Sequence, residues 1–240
     1  MLSQRKRQHL RYLYRGGGIP AVIAWVVRAL LSPLYYREAR HIVAQKIPER
    51  SPRGFVDRER ESANGECLIL ESPEALRAVE GEIPSSITHP LESLRKYLEQ
   101  GCVIFLVFCP KRTEQERAFV GYGIDRRGVL SVLGREKAGP FNILFGRYLE
   151  ILPEHRGQRY SGALLFTREE YCRRNGMQFR CAPISPDNRP SLKSTLTRGG
   201  YKIVGTAVRV SVLRGRFVWE TPWEKIEADL QDFLQQELRG

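Results

Sequence analysis

From residue 67 onward the apolar positions change rhythm in short blocks, the pattern of strands alternating with helices. Residues 67–70 read as a strand. Ser72 followed by Pro73 marks a helix start, and residues 89–100, carrying Leu91, Leu94 and Leu98, form a second helix closed by Gly101. The run CVIFLVFC (102–109) is unbroken between Gly101 and Pro110, which predicts a central strand buried on both faces. Residues 118–124 return as its hairpin partner, 129–133 add a short strand, and 134–143 read as loop. An apolar run at 148–152 then turns through HRGQRYSGALL (155–165) into a helix. Tyr160, Leu164 and Tyr171 sit on it at helical spacing, and Asn175-Gly176 stops it.

Residues 178–184 are a strand with Pro183 near its end, and Asp187 or Asn188 caps a helix holding Leu192 and Leu196. Residues 201–213 alternate well, with Val208, Val210 and Val212 on one side, and 217–219 return as a hairpin. Thr221-Pro222-Trp223-Glu224 has the form of a capping box opening a last helix. Its apolar face (Trp223, Ile226, Leu230, Phe233, Leu234) needs a partner, either the body of the domain or a second copy in a homodimer.

The first 50 residues differ in kind. Residues 1–15 form a basic helix ended by Gly16, Gly17 and Gly18. Residues 19–31 are almost wholly apolar, with Arg28 the one charge. Thirteen residues are too few to span a hydrocarbon core, which needs about 20. A secretory signal is disfavoured by the long basic region and by Arg28, and a transit peptide fits better. Residues 1–35 therefore have two readings, a basic apolar hairpin on an anionic membrane surface or a helix packed on the protein. Residues 35–47 suit an edge strand or a helix. The unperiodic stretch PERSPRGFVDRERESANG (48–65) holds the linker, placed at 51–65.

Charge sharpens this division. Net charge is +12, and residues 1–50 hold ten Lys or Arg against Glu38 and Glu49. The basicity is mainly N-terminal, and basic and aromatic residues are not interleaved in any recognised module, which disfavours nucleic-acid binding. Five scattered cysteines, odd in number and without a C-x-x-C pair, suit buried thiols in the cytoplasm, with peripheral attachment to the inner membrane surface the variant reading. Neither they nor the four histidines have metal-ligand spacing, so no metal is expected.

The chemistry concentrates at residues 155–165. A strand turning through Arg-Gly into a helix leaves backbone N–H groups unpaired at the positive end of the helix dipole, where a phosphate or pyrophosphate can sit. The plain alternative is a connection whose donors are met by water.

The element order from residue 67, with LEILPEHRGQRYSGALL (149–165) and APISPDNRPSLKSTLTRGGYKIVG (182–205), resembles the GNAT superfamily of acyl-CoA-dependent N-acyltransferases over residues 66–220. The resemblance implies an α/β (α+β) fold with a mixed central sheet of six to seven strands and helices on both faces. The N-terminal basic segment and the C-terminal amphipathic helix (221–240) flank it. It implies acetyl-CoA or another acyl-CoA as co-substrate, held in the gap where strands 148–152 and 178–184 part, with Pro183 helping them part. Backbone groups of Leu149 and Ile151 would pair with the pantetheine. Arg156, Gly157, Gln158, Arg159, Tyr160, Ser161 and Gly162 would hold the pyrophosphate, with Asn188 beside the cofactor or acting as a helix cap. Glu150 is the candidate base for an amine acceptor that the sequence does not identify. Tyr148 and His155 rank behind it.

Two departures bear on turnover. Arg159 and Ser161 stand where the family's loop has its second and third glycines. Leu196 stands where many relatives have a Tyr general acid, so none is assigned. The competing reading is a GNAT-fold binding protein that has lost turnover and works through its basic N-terminal segment.

Overall fold

The computed structural model describes residues 19, 20, 23, 26, 27, 35–47, 65–110, 117–158, 160–197, 201–212 and 215–235. The expected basic helix at 1–15, nearly all of the linker, and Arg159 lie outside them. The chain forms two compact units, residues 40–206 with 221–240 and residues 1–39 with 207–220.

Ten strands are described: β1 (Tyr35–Lys46), β2 (Glu66–Leu70), β3 (Cys102–Pro110), β4 (Arg117–Arg127), β5 (Val129–Val132), β6 (Arg135–Ala138), β7 (Ile143–Ile151), β8 (Phe179–Ile184), β9 (Tyr201–Val212) and β10 (Gly215–Glu220). The helices are α1 (Pro73–Arg77), α2 (Leu91–Glu99), α3 (Tyr160–Arg174), α4 (Arg189–Thr197) and α5 (Trp223–Gln235). In the larger unit the strand order is β2-β3-β4-β7-β8-β1-β9, and β10 pairs with the far end of β9 in the smaller unit. Eight strands thus share the mixed sheet, while β5 and β6 form a separate hairpin. The expected loop at 134–143 holds β6 and the start of β7. The turn at Leu133 (φ 51°) and Gly134 (φ 82°) lets the chain reverse within two residues.

The unbroken run at 102–109 behaves as its composition demands. No residue from Cys102 to Phe108 is more than 1% exposed. Strand alternation sends Ile104, Leu106 and Phe108 to one core with Leu76, Leu94 and Leu98 of α1 and α2. It sends Val103, Phe105 and Val107 to another with Ala163, Leu164 and Tyr171 of α3. Each such side chain contributes about 1.5–3 kcal/mol by burial, which ties both helical layers to one strand.

Local signals end the helices. Ser72 Oγ accepts from the Ala75 N–H at 3.3 Å with Pro73 in the first turn, and Gly101 (φ 78°) stops α2. At the end of α3, Asn175 Nδ2 donates to the Tyr171 carbonyl at 2.9 Å and Gly176 takes φ 60°.

The open choice at 35–47 resolves as a strand, and not at an edge: β1 lies between β8 and β9. It pairs antiparallel with β8 from His41↔Ile184 to Lys46↔Phe179. The last helix finds its partner on the body of the larger unit. Ile226 and Leu230 of α5 are buried, Phe233 lies 6.0 Å from Phe179, and Gly205 leaves room for Ile226. The capping box at 221–224 does not form. Thr221 Oγ1 instead accepts from the Thr206 N–H at 2.9 Å, tying the loop to β9.

Candidate active site

The site begins with an interrupted pairing. β7 and β8 run parallel for three residue pairs only, Ile143↔Phe179, Leu144↔Arg180 and Phe145↔Cys181. Beyond Gly146 they part. On the β4 side the register shifts between Ile124 and Asp125, which pair with Tyr148 and Gly146, so Arg147 is the extra residue of a β-bulge. Pro183 lies in the parted stretch of β8, where it pairs with Ile42 and has no N–H for a neighbour on the other side.

This leaves β7 with an open edge. Leu152 donates its N–H to the Val120 carbonyl, on the β4 side. Because N–H and C=O directions alternate along a strand, Leu149 and Ile151 present theirs to the gap. One of these groups is engaged: Arg156 Nε donates to the Ile151 carbonyl at 3.0 Å. The Leu149 side chain is exposed and Ile151 packs at the margin of the α3 core.

The chain then makes a single 3-10 turn, Pro153–His155, and reaches Arg156 and Gly157. Gly157 takes φ 82°, a conformation that disfavours any side chain, and the space where its Cβ would stand is empty to 4 Å. Gln158 Nε2 donates to the Glu154 carbonyl at 3.1 Å, and His155 packs its ring edge-on against Tyr160 at 5.8 Å. Tyr160, Ser161 and Gly162 form the first turn of α3, where backbone N–H groups have no partner within the helix. Asn188 is the cap of α4: its Oδ1 accepts from the Ser191 N–H at 3.3 Å.

Glu150 lies on the opposite face of β7, toward α2. Its carboxylate accepts from the Thr88 N–H at 3.2 Å, the Thr88 hydroxyl at 2.9 Å and the Tyr148 hydroxyl at 3.2 Å. Beside it the Tyr122 hydroxyl accepts from the His89 N–H at 3.1 Å and lies 2.7 Å from His89 Nδ1. Burial above all pushes the Tyr122 phenol up, and the Glu150 charge adds to this, so Tyr122 stays protonated. The His89 ring stands edge-on to Tyr148 at 4.4 Å and to Tyr97 at 5.6 Å. Arg147 closes the cluster, its guanidinium 5.5 Å from the Tyr97 ring and 3.3 Å from Glu136.

Under the bulge, on the α3 face, lies a buried ion pair. Arg168 Nη2 contacts Asp125 Oδ1 and also donates to the Tyr148 carbonyl at 3.1 Å. Gly123 makes room, since a Cβ there would lie 2.7 Å from Arg168 Cζ. Burial is the larger influence on both partners, raising the Asp125 carboxyl and lowering the Arg168 guanidinium, each opposed by the other's charge.

Of the residues singled out in the sequence, Leu149 and Ile151 lie on the open edge, Arg156, Gly157 and Gln158 in the loop, and Glu150 with Tyr148 on the opposite face of β7. Sequence reading missed Thr88, His89, Tyr122, Asp125 and Arg168. The dipeptide His89-Pro90 before a helix and Gly121-Tyr122-Gly123 within a strand were the available signals. His155 lies in the loop, away from the side chains that hold Glu150. Among the described residues no group of His, Cys, Asp or Glu could hold a metal ion, and no helix is long and apolar enough to cross a membrane.

No family model and no curated protein sequence matches the chain. Solved structures do. A conserved protein of unknown function from Staphylococcus epidermidis is 6% identical with a TM-score of 0.45, covering 77% of this chain and 65% of its own. The chain thus spans just under two thirds of that protein. An aminoglycoside 6'-N-acetyltransferase from Acinetobacter baumannii is 14% identical with a TM-score of 0.40, covering 57% of this chain and 92% of its own. A tandem GNAT protein of clavulanic acid biosynthesis is 14% identical with a TM-score of 0.44, covering 83% of this chain and 59% of its own. The mixed sheet and the helices follow the element order read from the sequence.

Proposed function

We propose that the chain is an acyl-CoA-dependent N-acyltransferase, using acetyl-CoA, that acts on an amine presented to the α2 face of β7. The observation that carries this reading is the gap itself: two parallel strands that part after three pairs, leading straight into the Arg-Gly turn at the start of α3.

The residues present fit an acyl-CoA. Leu149 and Ile151 offer backbone groups along the open edge for an extended amide-bearing chain, and Arg156 would exchange its bond to Ile151 for one to phosphate. The empty space at Gly157 and the free N–H groups of the first turn of α3 suit a pyrophosphate. The bound thioester would supply the activated acyl group. Glu150 then takes the proton of the attacking amine, oriented by Thr88 and Tyr148 and not freely mobile. Tyr122, held protonated, and His89, hydrogen-bonded to it, fix the surrounding wall, and the N–H groups at the open edge can stabilise negative charge as it develops.

A second reading, binding without turnover, is supported by the same carboxylate, which is already held by three donors. Amine-dependent release of CoA across an acceptor panel separates the two. Turnover in the parent chain, reduced about 10²–10⁴-fold in Glu150→Gln with acetyl-CoA affinity unchanged, is the expected result. Equal turnover in Glu150→Gln would remove Glu150 from the chemistry.

A further inference from the structure

The β9–β10 hairpin of the smaller unit has two unlike faces. Arg209 and Ser211 lie on one, with Arg209 paired to Glu38 at 3.7 Å. The other carries Phe217 and Trp219, directly opposite Val210 and Val208 in the register, with Val212 following. Phe217 is 53% exposed and Trp219 59%, and their rings stack at 6.1 Å. Two neighbouring aromatics at this exposure on a hairpin at the sheet's edge are an apolar surface that water alone does not favour.

The same unit holds a second exposed apolar surface. Ile19, Ile23, Val26 and Val27 are helical and exposed by 40% to 62%. The sequence from 19 to 27 is apolar throughout, and it follows a basic stretch, with Arg5, Lys6, Arg7, Arg11 and Arg15 before it and no acid until Glu38.

We propose that the smaller unit docks on the surface of an anionic lipid bilayer, with the Phe217–Trp219 face and the exposed Ile19, Ile23, Val26 and Val27 in the interfacial layer and the N-terminal Lys and Arg side chains on the headgroups. Charge selects this occupant over a second copy of the chain. The smaller unit, residues 1–39 with 207–220, carries ten basic side chains against Glu38 and Glu220, so two such units repel, whereas anionic headgroups attract them. Tryptophan beside phenylalanine suits the interface, where an amphipathic ring has one wet edge. The apolar stretch, too short to span, lies in the plane. This docking is independent of the reaction proposed above.

The test uses the full chain and co-sedimentation with vesicles of phosphatidylcholine alone or mixed with phosphatidylglycerol. The parent is expected to bind only the anionic vesicles and to be released by salt. Phe217→Ser with Trp219→Ser should weaken partitioning about tenfold or more. Arg5→Gln with Lys6→Gln and Arg7→Gln should weaken it about a hundredfold, at roughly fivefold per charge. In case the aromatic pair variant misfolds, bromolipid quenching of tryptophan fluorescence in the parent, with a component lost in Trp219→Phe, reads the same contact. Failure of the parent to bind anionic vesicles overturns the proposal, as does unchanged binding of a folded aromatic pair variant or unchanged quenching in Trp219→Phe. A mass by light scattering that falls from dimer to monomer in the pair variant, without vesicle binding, would make the face a self-interface and overturn it equally.

Discussion

Replacing Asp125 by Asn tests the ion pair on which the bulge rests. Asp125 is 0% exposed and Arg168 3%, and a second guanidinium, Arg180, is also buried nearby at 7%. Removing the carboxylate charge leaves two buried cations with no anion between them. Breaking a buried pair by losing one partner costs about 3–5 kcal/mol. With a urea slope of about 3 kcal/mol per molar for a domain of this size, the unfolding midpoint should fall by about 1–1.7 M. The Asp125→Leu, Arg168→Met double variant removes one of the two cations together with the anion, leaving Arg180, and should recover part of that loss. Urea titration followed by circular dichroism reads both. A shift in Asp125→Asn below about 0.3 M, or a double variant as weak as the single one, would refute a charged and buried pair. Because Arg168 also holds the Tyr148 carbonyl, acetyl-CoA affinity should weaken in Asp125→Asn at temperatures where the chain is still folded.

Two further predictions concern the sheet and the thiols. Gly121→Ala places a Cβ against the Glu150 carbonyl and 2.9 Å from Ile151 Cα, so β7 must move off β4; a cost of about 1–3 kcal/mol and weakened acetyl-CoA binding are expected by thermal melting and calorimetry, and an unaffected variant would contradict the register. Burial pushes the Cys67 thiol up to about 11 and the Cys172 thiol up to about 12, and raises Cys102 and Cys181 as well. At pH 8 Cys67 is then about one thousandth thiolate, so mass spectrometry after brief iodoacetamide treatment should find these four unmodified in the native chain and all modified in urea.

What could be read in advance was what local chemistry decides. The run CVIFLVFC has no polar position to turn outward, so its burial on both faces follows from composition. Gly157 after Arg156 forces a turn, and Asn175-Gly176 can end a helix because Gly176 takes a positive φ. The features that escaped depend on residues far apart in sequence. β1 lies between β8 and β9 because Ile42, Val43 and Ala44 bury there, and nothing local distinguishes an interior strand from an edge strand of that length. Asp125 and Arg168 are 43 residues apart, and each alone looks like a surface charge. His89 meets Tyr122 and Tyr148 only after β4 and β7 pair. Thr221 was misread because a nearer backbone partner, Thr206, outcompetes the helix it was expected to cap.

The central claim is that the open edge of β7 and the turn into α3 hold an acyl-CoA. Isothermal calorimetry of the full chain with acetyl-CoA, repeated on Gly157→Phe and checked by thermal melting, tests it directly. A side chain at Gly157 is strained by the φ of 82°, at a cost of about 1–3 kcal/mol, but its Cβ meets no neighbour within 4 Å, so thermal melting should find the variant destabilised yet folded, with the loop's space filled. The account predicts saturable one-site binding to the parent and a loss of at least about tenfold in affinity in the folded variant. No heat of binding to the parent, or equal affinity in both chains, would contradict it.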